Sequence, residues 1–203
     1  MPGFDINRLR LQNQHLAKPE LTQPADIVRW LGAVQAQDYA GAKWALGQRL
    51  KGAADRLIEE AFNRGDIIRT HVMRPTWHFL AAEDVRWMLD LSAARIHAGV
   101  VHAHRTFGLD EAVFSKATHI ITKLLEGGRH ITRNEIATAL KEGGIATNEQ
   151  RFIHIMMELE LRRLICSGPR QGKQFTYALM DERIPVSLEL SRDEALAKLS
   201  ERY

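Results

Sequence analysis

The sequence predicts a mainly α-helical fold with short β ribbons, organised as two winged-helix units in tandem. Three observations support this prediction. Apolar residues recur at helical spacing over most of the chain, two pairs of short β-like runs interrupt them, and each pair follows a group of helices. Helices followed by a two-stranded ribbon are the order of a winged helix, a variant of helix-turn-helix.

Four helices are predicted ahead of the first ribbon, over residues 6–17, 24–34, 42–50 and 53–63. Pro19 follows the first helix and ends it, and Pro24 stands in position to open the second. Asp38 is the N-cap expected for the third helix. Gly65 follows the fourth helix as a breaker.

The first ribbon is predicted from strands at 66–72 and 76–80. A long helix over 83–104 follows, with an apolar stripe along one side. The chain then breaks around Gly108. We therefore place the first winged-helix unit, with its long connecting helix, at residues 1–107.

The second unit repeats this order over residues 108–190. Its predicted elements are helices at 112–125, 133–140 and 148–163 and strands at 130–131, 164–167 and 175–179. Thr132 and Glu135 form a capping box for the second of these helices, and Thr147 or Asn148 opens the third. The loop at 168–173 has the composition of a wing tip.

Residues 191–203 are helical in pattern and stop abruptly, because nothing that resembles a cap or a breaker follows Tyr203. We expect this segment to be the start of a further helix. The chain is therefore predicted to be the amino-terminal part of a longer architecture.

The charge of the chain is mildly basic and unevenly placed. The formal net charge is +3 and the pI is near 9.2. Residues 1–107 contain 14 Lys and Arg against 11 Asp and Glu, whereas residues 108–203 contain 14 of each. The first part also holds all four tryptophans. If a polyanion binds, we expect it to bind chiefly there.

Composition restricts the class of protein. With 45% hydrophobic and 26% charged residues, 203 residues can bury a real core. No apolar run reaches the roughly 20 residues that span a bilayer, and the start of the sequence lacks the pattern of a signal peptide. Cys166 is the only cysteine, which excludes an internal disulfide and a cysteine-based zinc site. We expect a cytoplasmic protein that has no membrane partner.

The most informative motif is Gln-x-Gln, formed by Gln35 and Gln37 at the end of the predicted second helix. Neutral carboxamides can hold a water molecule or a base edge without bringing a formal charge. The spacing alone is weak evidence, since chance produces it often. One of the two could equally cap the helix through a backbone hydrogen bond.

Four stretches together resemble a bacterial family of winged-helix DNA-binding proteins, typified by the azinomycin-resistance DNA glycosylase. They are Val-Gln-Ala-Gln at 34–37 with Arg49 downstream, Met-Arg-Pro-Thr-Trp-His-Phe-Leu at 73–80, Gly-Lys-Gln-Phe-Thr-Tyr-Ala-Leu at 172–179, and the segment 195–203. The resemblance spans nearly the whole chain. Their order and spacing are more specific than any one motif.

The resemblance implies a DNA-repair glycosylase. Members of the family excise alkylated purines, and some unhook interstrand crosslinks. Gln35 and Gln37 place this chain in the Gln-x-Gln branch and imply that these two residues are catalytic. The family's third winged helix and β-barrel have no counterpart within these 203 residues. Double-stranded DNA is the implied partner, and no cofactor is implied.

Uncharged amides suit a substrate that is already activated. A purine alkylated at N7 carries a positive charge and leaves as a neutral base, so its release needs little acid or base catalysis. A carboxamide oxygen can then be sufficient if it orients the attacking water. Asp38 adjoins the motif as a rival general base, although its role as N-cap is preferred.

Other side chains are candidates for contact with DNA. Arg74, Thr76 and His78 alternate along a predicted strand and therefore share a face that could grip phosphate or sugar. Structural roles are equally expected there, with Arg74 paired to an acid and His78 partly buried. Arg49 is suggested by the resemblance.

In the second unit, Arg170 and Lys173 at the wing tip are the phosphate candidates, although a solvated loop explains them equally well. The nominal recognition helix is unusually apolar and carries Glu158 and Glu160, which phosphates would repel. We expect that helix to pack against another element.

Two other sets receive structural interpretations. His97 and His104 lie seven residues apart on one helical face, but no suitable third ligand accompanies them, so no metal is predicted. The four tryptophans are expected in the core rather than as base-stacking platforms.

Two alternatives to the enzyme remain. The chain could be a non-catalytic tandem winged-helix DNA-binding or regulatory protein in which the glutamines are structural. Because residues 108–203 are electrically neutral, it could also be a module for protein interaction. The oligomeric state is not predicted.

Overall fold

The fold is mainly helical, with two small antiparallel sheets, in a computed structural model that describes residues 5–186 and 189–202. Its first eight elements are α1 (Ile6–Asn13), α2 (Pro24–Leu31), β1 (Val34–Gln35), α3 (Tyr39–Gly47), α4 (Asp55–Arg64), β2 (Ile67–Val72), β3 (Arg74–Ala81) and α5 (Val85–Thr106). Those that follow are α6 (Glu111–Leu125), β4 (Ile131–Thr132), α7 (Arg133–Glu142), α8 (Glu149–Leu161), β5 (Ile165–Ser167), β6 (Thr176–Leu179), α9 (Met180–Arg183) and α10 (Arg192–Arg202).

The same element order occurs twice. The first group, α2 to β3, and the second group, α6 to β6, each run helix, strand, helix, helix, strand, strand. In both groups the earliest strand pairs with the last one, which gives sheet orders of β1-β3-β2 and β4-β6-β5. The long helix α5 connects the two groups.

Local capping signals determine several helix ends as predicted. Asp38 accepts a hydrogen bond from the Gly41 amide at 3.1 Å and caps α3, and Gly65 ends α4 in the left-handed conformation. Thr132 and Glu135 form the predicted capping box of α7. Between the two candidates for α8, the cap is Asn148.

The prediction that the second helix runs to residue 34 was wrong. Helix α2 ends at Leu31 because Gly32 turns the chain with φ of +75°. Val34 and Gln35 then form β1, which pairs with β3. The glutamine motif therefore lies on a sheet edge. Two other predictions also differ from the structure: α1 stops at Asn13, four residues before its predicted end, and α9 was not predicted.

Three apolar clusters form the core. The first and second groups each have their own cluster, centred on Phe62 and Phe79 and on Phe114 and Ile121 respectively. A third cluster is shared, because α5 packs there with residues of β2, α8 and α10. The two groups therefore pack through a common interior.

No helix among residues 5–186 and 189–202 is both long enough and apolar enough to cross a membrane.

Candidate active site

Strand β1 positions the glutamine motif at one edge of the first sheet. Val34 lies opposite Phe79 and Gln35 lies opposite His78. The Ala36 amide continues the ladder by donating to the Trp77 carbonyl at 2.8 Å. The segment is therefore extended, and neighbouring side chains point to opposite faces.

Both carboxamides are exposed, whereas Ala36 between them is fully buried. The side-chain oxygen of Gln37, Oε1, accepts a hydrogen bond from the backbone amide of Trp77 at 3.3 Å. Its NH₂ group is not used in that bond. Anchoring of the central residue thus presents Gln35 and Gln37 to solvent, where a water molecule or a substrate can reach them.

His78, the cross-strand partner of Gln35, is buried rather than on the surface. Residues directly opposite in an antiparallel pair share a face of the sheet, and Gln35 and His78 are such a pair. His78 is only 4% exposed, and its Nδ1 lies 2.9 Å from the Thr76 carbonyl oxygen. Since a carbonyl only accepts, Nδ1 carries the proton. Burial lowers the pKa of His78, so the imidazole is neutral near pH 7.

The burial of His78 matches the structural alternative given for it above, a partly buried and hydrogen-bonded side chain, and its contact with DNA stays a prediction. Arg74 and Thr76 do lie in the same strand as His78, as predicted. Arg74 is exposed at the start of β3, and Thr76 is half-buried. Among the described residues, the Thr76 hydroxyl finds no hydrogen-bond partner. These two remain candidates for DNA contact.

Arg49 is engaged elsewhere in the first part of the chain. Its guanidinium donates to the Ala45 carbonyl at 2.6 Å and to the Gln14 side chain at 2.8 Å. These bonds tie the end of α3 to the residue that follows α1. In the part of the chain that the structure describes, no hydrogen bond or ion pair joins the Arg49 side chain to Gln35 or Gln37.

The predicted wing tip packs on the first group instead of extending freely. The Arg170 amide donates to the Asn63 side chain at 2.7 Å, and the Arg170 guanidinium lies 4.1 Å from the ring centroid of Phe175 and 5.0 Å from that of Tyr39. Phosphate contact by Arg170 stays a prediction, with its guanidinium held beside these two rings. Lys173 is exposed, as expected for this role.

Helix α8 packs in the interior, as predicted. Glu158 is 4% exposed and Glu160 is 1% exposed. Glu160 accepts from the backbone amide of His71 at 2.9 Å and lies 2.6 Å from its Nδ1. His97 Nδ1 on α5 lies 3.0 Å from a carboxylate oxygen of Glu158.

The expectation that all four tryptophans lie in the core was wrong. Trp87 is buried and Trp77 is half-buried, but Trp30 is 51% exposed and Trp44 is 70% exposed. Trp44 lies on α3, seven residues after Gln37, beside an apolar groove between α3 and α4. The identity of a residue as tryptophan does not by itself indicate whether its side of a helix packs against the core.

The sequence interpretation missed Arg69, whose Nε donates to the Ala36 carbonyl at 2.9 Å. Arg69 is only 8% exposed, and its guanidinium lies 4.3 Å from the ring centroid of Trp77. The available signal was an arginine in the middle of the predicted strand that became β2, every residue of which is buried.

Comparison with known proteins gives the class. The family described as AlkZ-like DNA glycosylases has a model that matches residues 28–203, and the chain belongs to this family. The resemblance drawn from the sequence is thereby confirmed.

Two relatives come from Streptomyces sahachiroi. An interstrand DNA cross-link repair glycosylase is 27% identical over 179 residues, which cover 84% of this chain and 47% of that protein. The solved structure of the DNA glycosylase AlkZ is similar with a TM-score of 0.75 at 21% identity, and the match covers 95% of this chain and 54% of that one. The chain thus spans about half the length of the relatives that it matches.

Proposed function

We propose that this chain is a DNA glycosylase, or the amino-terminal part of one, that hydrolyses the N-glycosidic bond of cationic N7-alkylated purines. The observation that carries the proposal is the exposure of both Gln35 and Gln37 around a buried, anchored Ala36. Two carboxamides so placed can hold one water molecule between them and the sugar. Family membership supplies the reaction class.

The proposed chemistry needs orientation more than proton transfer. The alkylated base is cationic and departs as a neutral molecule, while positive charge develops on the sugar. The side-chain oxygen of Gln35 or Gln37 accepts a proton of the attacking water and directs its oxygen to the sugar carbon. Orientation of this kind can contribute roughly 7–11 kcal/mol at most. His78, neutral and proton-bearing on Nδ1, shares a face of the sheet with Gln35.

We further propose that the two groups are winged helices, within units at residues 1–107 and 108–190, that together grip double-stranded DNA. Their shared element order and sheet order support this interpretation. The first unit is the more basic one and carries the glutamine pair. Arg74 of the first unit and Lys173 of the second are exposed cations for phosphate contact.

The deciding experiment uses duplex DNA that contains 7-methylguanine, with abasic sites measured by alkaline cleavage. We expect base release by the wild type and a loss of about 100-fold or more in Gln35→Ala and Gln37→Ala, as for a misdirected nucleophile. Gln48→Ala, a change at an exposed glutamine that caps the carboxyl end of α3, serves as the matched control. DNA affinity should persist in all three variants.

A second candidate is a DNA-binding protein without excision activity. This candidate is supported by the length of the match. The chain covers about half of each matched protein, and residues beyond the matched part can be needed for catalysis. In that case a folded wild type binds duplex DNA with a marked dependence on salt but releases no base. A parallel arm with crosslinked duplex tests whether this chain shares the activity that the name of its relative describes.

A further inference from the structure

Arg69 joins the glutamine motif to the second group of helices. Its Nε donates to the Ala36 carbonyl at 2.9 Å, and its backbone amide donates to the Ser167 hydroxyl at 2.9 Å. Ser167 belongs to β5 of the second group. A single residue of β2 therefore holds the peptide between the two glutamines and touches the other half of the molecule.

Two aromatic rings hold the Arg69 guanidinium in place. Its central carbon lies 4.3 Å from the ring centroid of Trp77 and 4.6 Å from that of Phe175. Trp77 also binds the motif through its backbone, since its carbonyl accepts from Ala36 and its amide donates to Gln37. Phe175 comes from the second group, directly before β6. A planar guanidinium stacks between such rings in a way that an ammonium cannot.

The charge of Arg69 is not neutralised in the usual way. Within residues 5–186 and 189–202, no carboxylate oxygen lies within 4.0 Å of its guanidinium. Burial lowers the pKa of Arg69, and Glu160 is the main charge that opposes this effect. A desolvated cation without a carboxylate partner is costly for folding, so its hydrogen bond to the Ala36 carbonyl favours a role in geometry over one in stability.

We propose that Arg69 is a positioning residue for the Gln35 and Gln37 amides, and that Phe175 completes this support from the second group. The inference rests on the glycosylase function proposed above. Because side chains alternate along an extended segment, the orientation of the Ala36 peptide sets the direction of both neighbours. The two halves of the chain thus assemble one site, with the amides on the first and an essential support on the second.

The test compares base release by Arg69→Met and Phe175→Leu with that by the wild type. We expect kcat to fall by about 10- to 100-fold while KM for the duplex changes less than about 3-fold. The variants should lose the orientation of the two glutamine side chains but keep their affinity for the duplex. Phe175→Tyr keeps the ring and should restore kcat. Arg69→Lys keeps the charge but not the stacking and should restore it only in part.

Arg183→Met is the matched control. Arg183 also lies in the second part of the chain, is half-buried, and donates across the groups to the carbonyls of Phe62 (2.8 Å) and Asn63 (3.2 Å). Its loss should weaken the packing of the two groups without changing kcat. Equal effects of the Arg69 and Arg183 variants on kcat would overturn the positioning role.

A second measurement does not depend on activity. Hydrogen exchange of the Ala36 amide, which donates to the Trp77 carbonyl, should be faster in Arg69→Met and Phe175→Leu but unchanged in Arg183→Met. If the wild type releases no base but this pattern appears, the glycosylase function fails and the positioning inference stands. If base release is normal in folded Arg69→Met and Phe175→Leu, the inference fails and the function stands. Should either variant fail to fold, Arg69→Lys decides, because a partial loss of kcat in the folded variant supports the positioning role and an unchanged kcat overturns it.

Discussion

At the residue scale, the site depends on one small buried side chain between two polar ones. Ala36 has no room to grow, because it is fully covered while Gln35 and Gln37 stay exposed. Its amide and carbonyl are both bonded, to Trp77 and Arg69. The backbone is therefore fixed before any substrate arrives, which is what orientation of a nucleophile requires.

Buried His78 predicts a loss of stability in acid. Its folded-state pKa lies below the ordinary value of 6.5, so the unfolded chain takes up a proton at a pH where the folded chain does not. Stability is therefore complete above about pH 6.5 and falls as the pH drops towards the folded-state pKa. His104, His130 and His154 act in the same direction. Urea unfolding at pH 7.5 and 5.5 measures the effect.

His78→Gln isolates the contribution of this one side chain. The difference in unfolding free energy between the two pH values should be smaller in the variant than in the wild type. An unchanged difference would show that His78 titrates normally in the folded state. His119→Gln serves as the control, since that histidine lies on the exposed side of α6.

At the element scale, capping decides where helices begin. Thr132 accepts from the Glu135 amide, and the Glu135 carboxylate accepts from the Thr132 amide at 2.8 Å. These bonds satisfy amides that the first turn of α7 leaves without helical partners. Such reciprocal pairs are local, so the sequence alone discloses them.

Thr132→Ala should therefore destabilise the protein by about 1 kcal/mol, the usual cost of a lost N-cap. Thr138→Ala in the same helix is the control, because its hydroxyl bonds only to the Asn134 carbonyl and it is not a cap. Chemical denaturation of the three proteins gives the comparison. Equal midpoints for both variants would contradict the capping role.

Helix α10 is held to α5 by a buried carboxylate. Asp84 is fully buried and accepts two hydrogen bonds from Arg202, at 2.5 and 3.1 Å, and one from the Trp87 indole at 2.8 Å. Burial opposes ionisation of Asp84, but the bonds from Arg202 and Trp87 outweigh it and hold the pKa of this carboxyl below its ordinary value. Asp84 is therefore charged at neutral pH.

Asp84→Asn should weaken this attachment by about 3 kcal/mol, because Arg202 loses its buried partner. Amide exchange within α10 should accelerate more than exchange within α7. Asp193→Asn, an exposed change in the first turn of α10, is the control. Unaltered exchange in α10 would show that apolar contacts alone hold the helix.

The sequence predicts such elements only as far as their causes are local. The caps at Asp38 and Thr132 and the breaker at Gly65 were all found from neighbouring residues. Strand β1 was missed because Val34 and Gln35 extend only by pairing with β3, more than forty residues later. Arg69 was missed because its acceptor and its aromatic partners are also distant in sequence.

At the scale of the whole molecule, the two groups share an interior and a buried polar contact. Glu160 on α8 accepts from the Thr70 hydroxyl and from the amide of His71, both on β2. Together with the shared apolar cluster, this contact predicts that the described chain unfolds as one cooperative unit. The predicted boundary near residue 107 would then separate two structural units that do not unfold independently.

Glu160→Ala should lower the unfolding free energy by roughly 3–5 kcal/mol, since several buried donors on β2 lose their acceptor. The transition should remain single but occur at lower denaturant. Glu142→Ala, an exposed change at the end of α7, is the control. Two separate transitions in the wild type would contradict the cooperative fold.

The four tryptophans differ in their exposure to solvent, and their fluorescence should therefore differ in its response to a quencher. All four indoles belong to residues 1–107, and Trp44 is open to solvent whereas Trp87 is sealed. Acrylamide should therefore quench the emission of exposed Trp44 readily and leave the emission of buried Trp87 largely unquenched. Residues 108–203 contribute no indole signal, so any change in fluorescence on addition of a duplex reports events in the half that holds the glutamines.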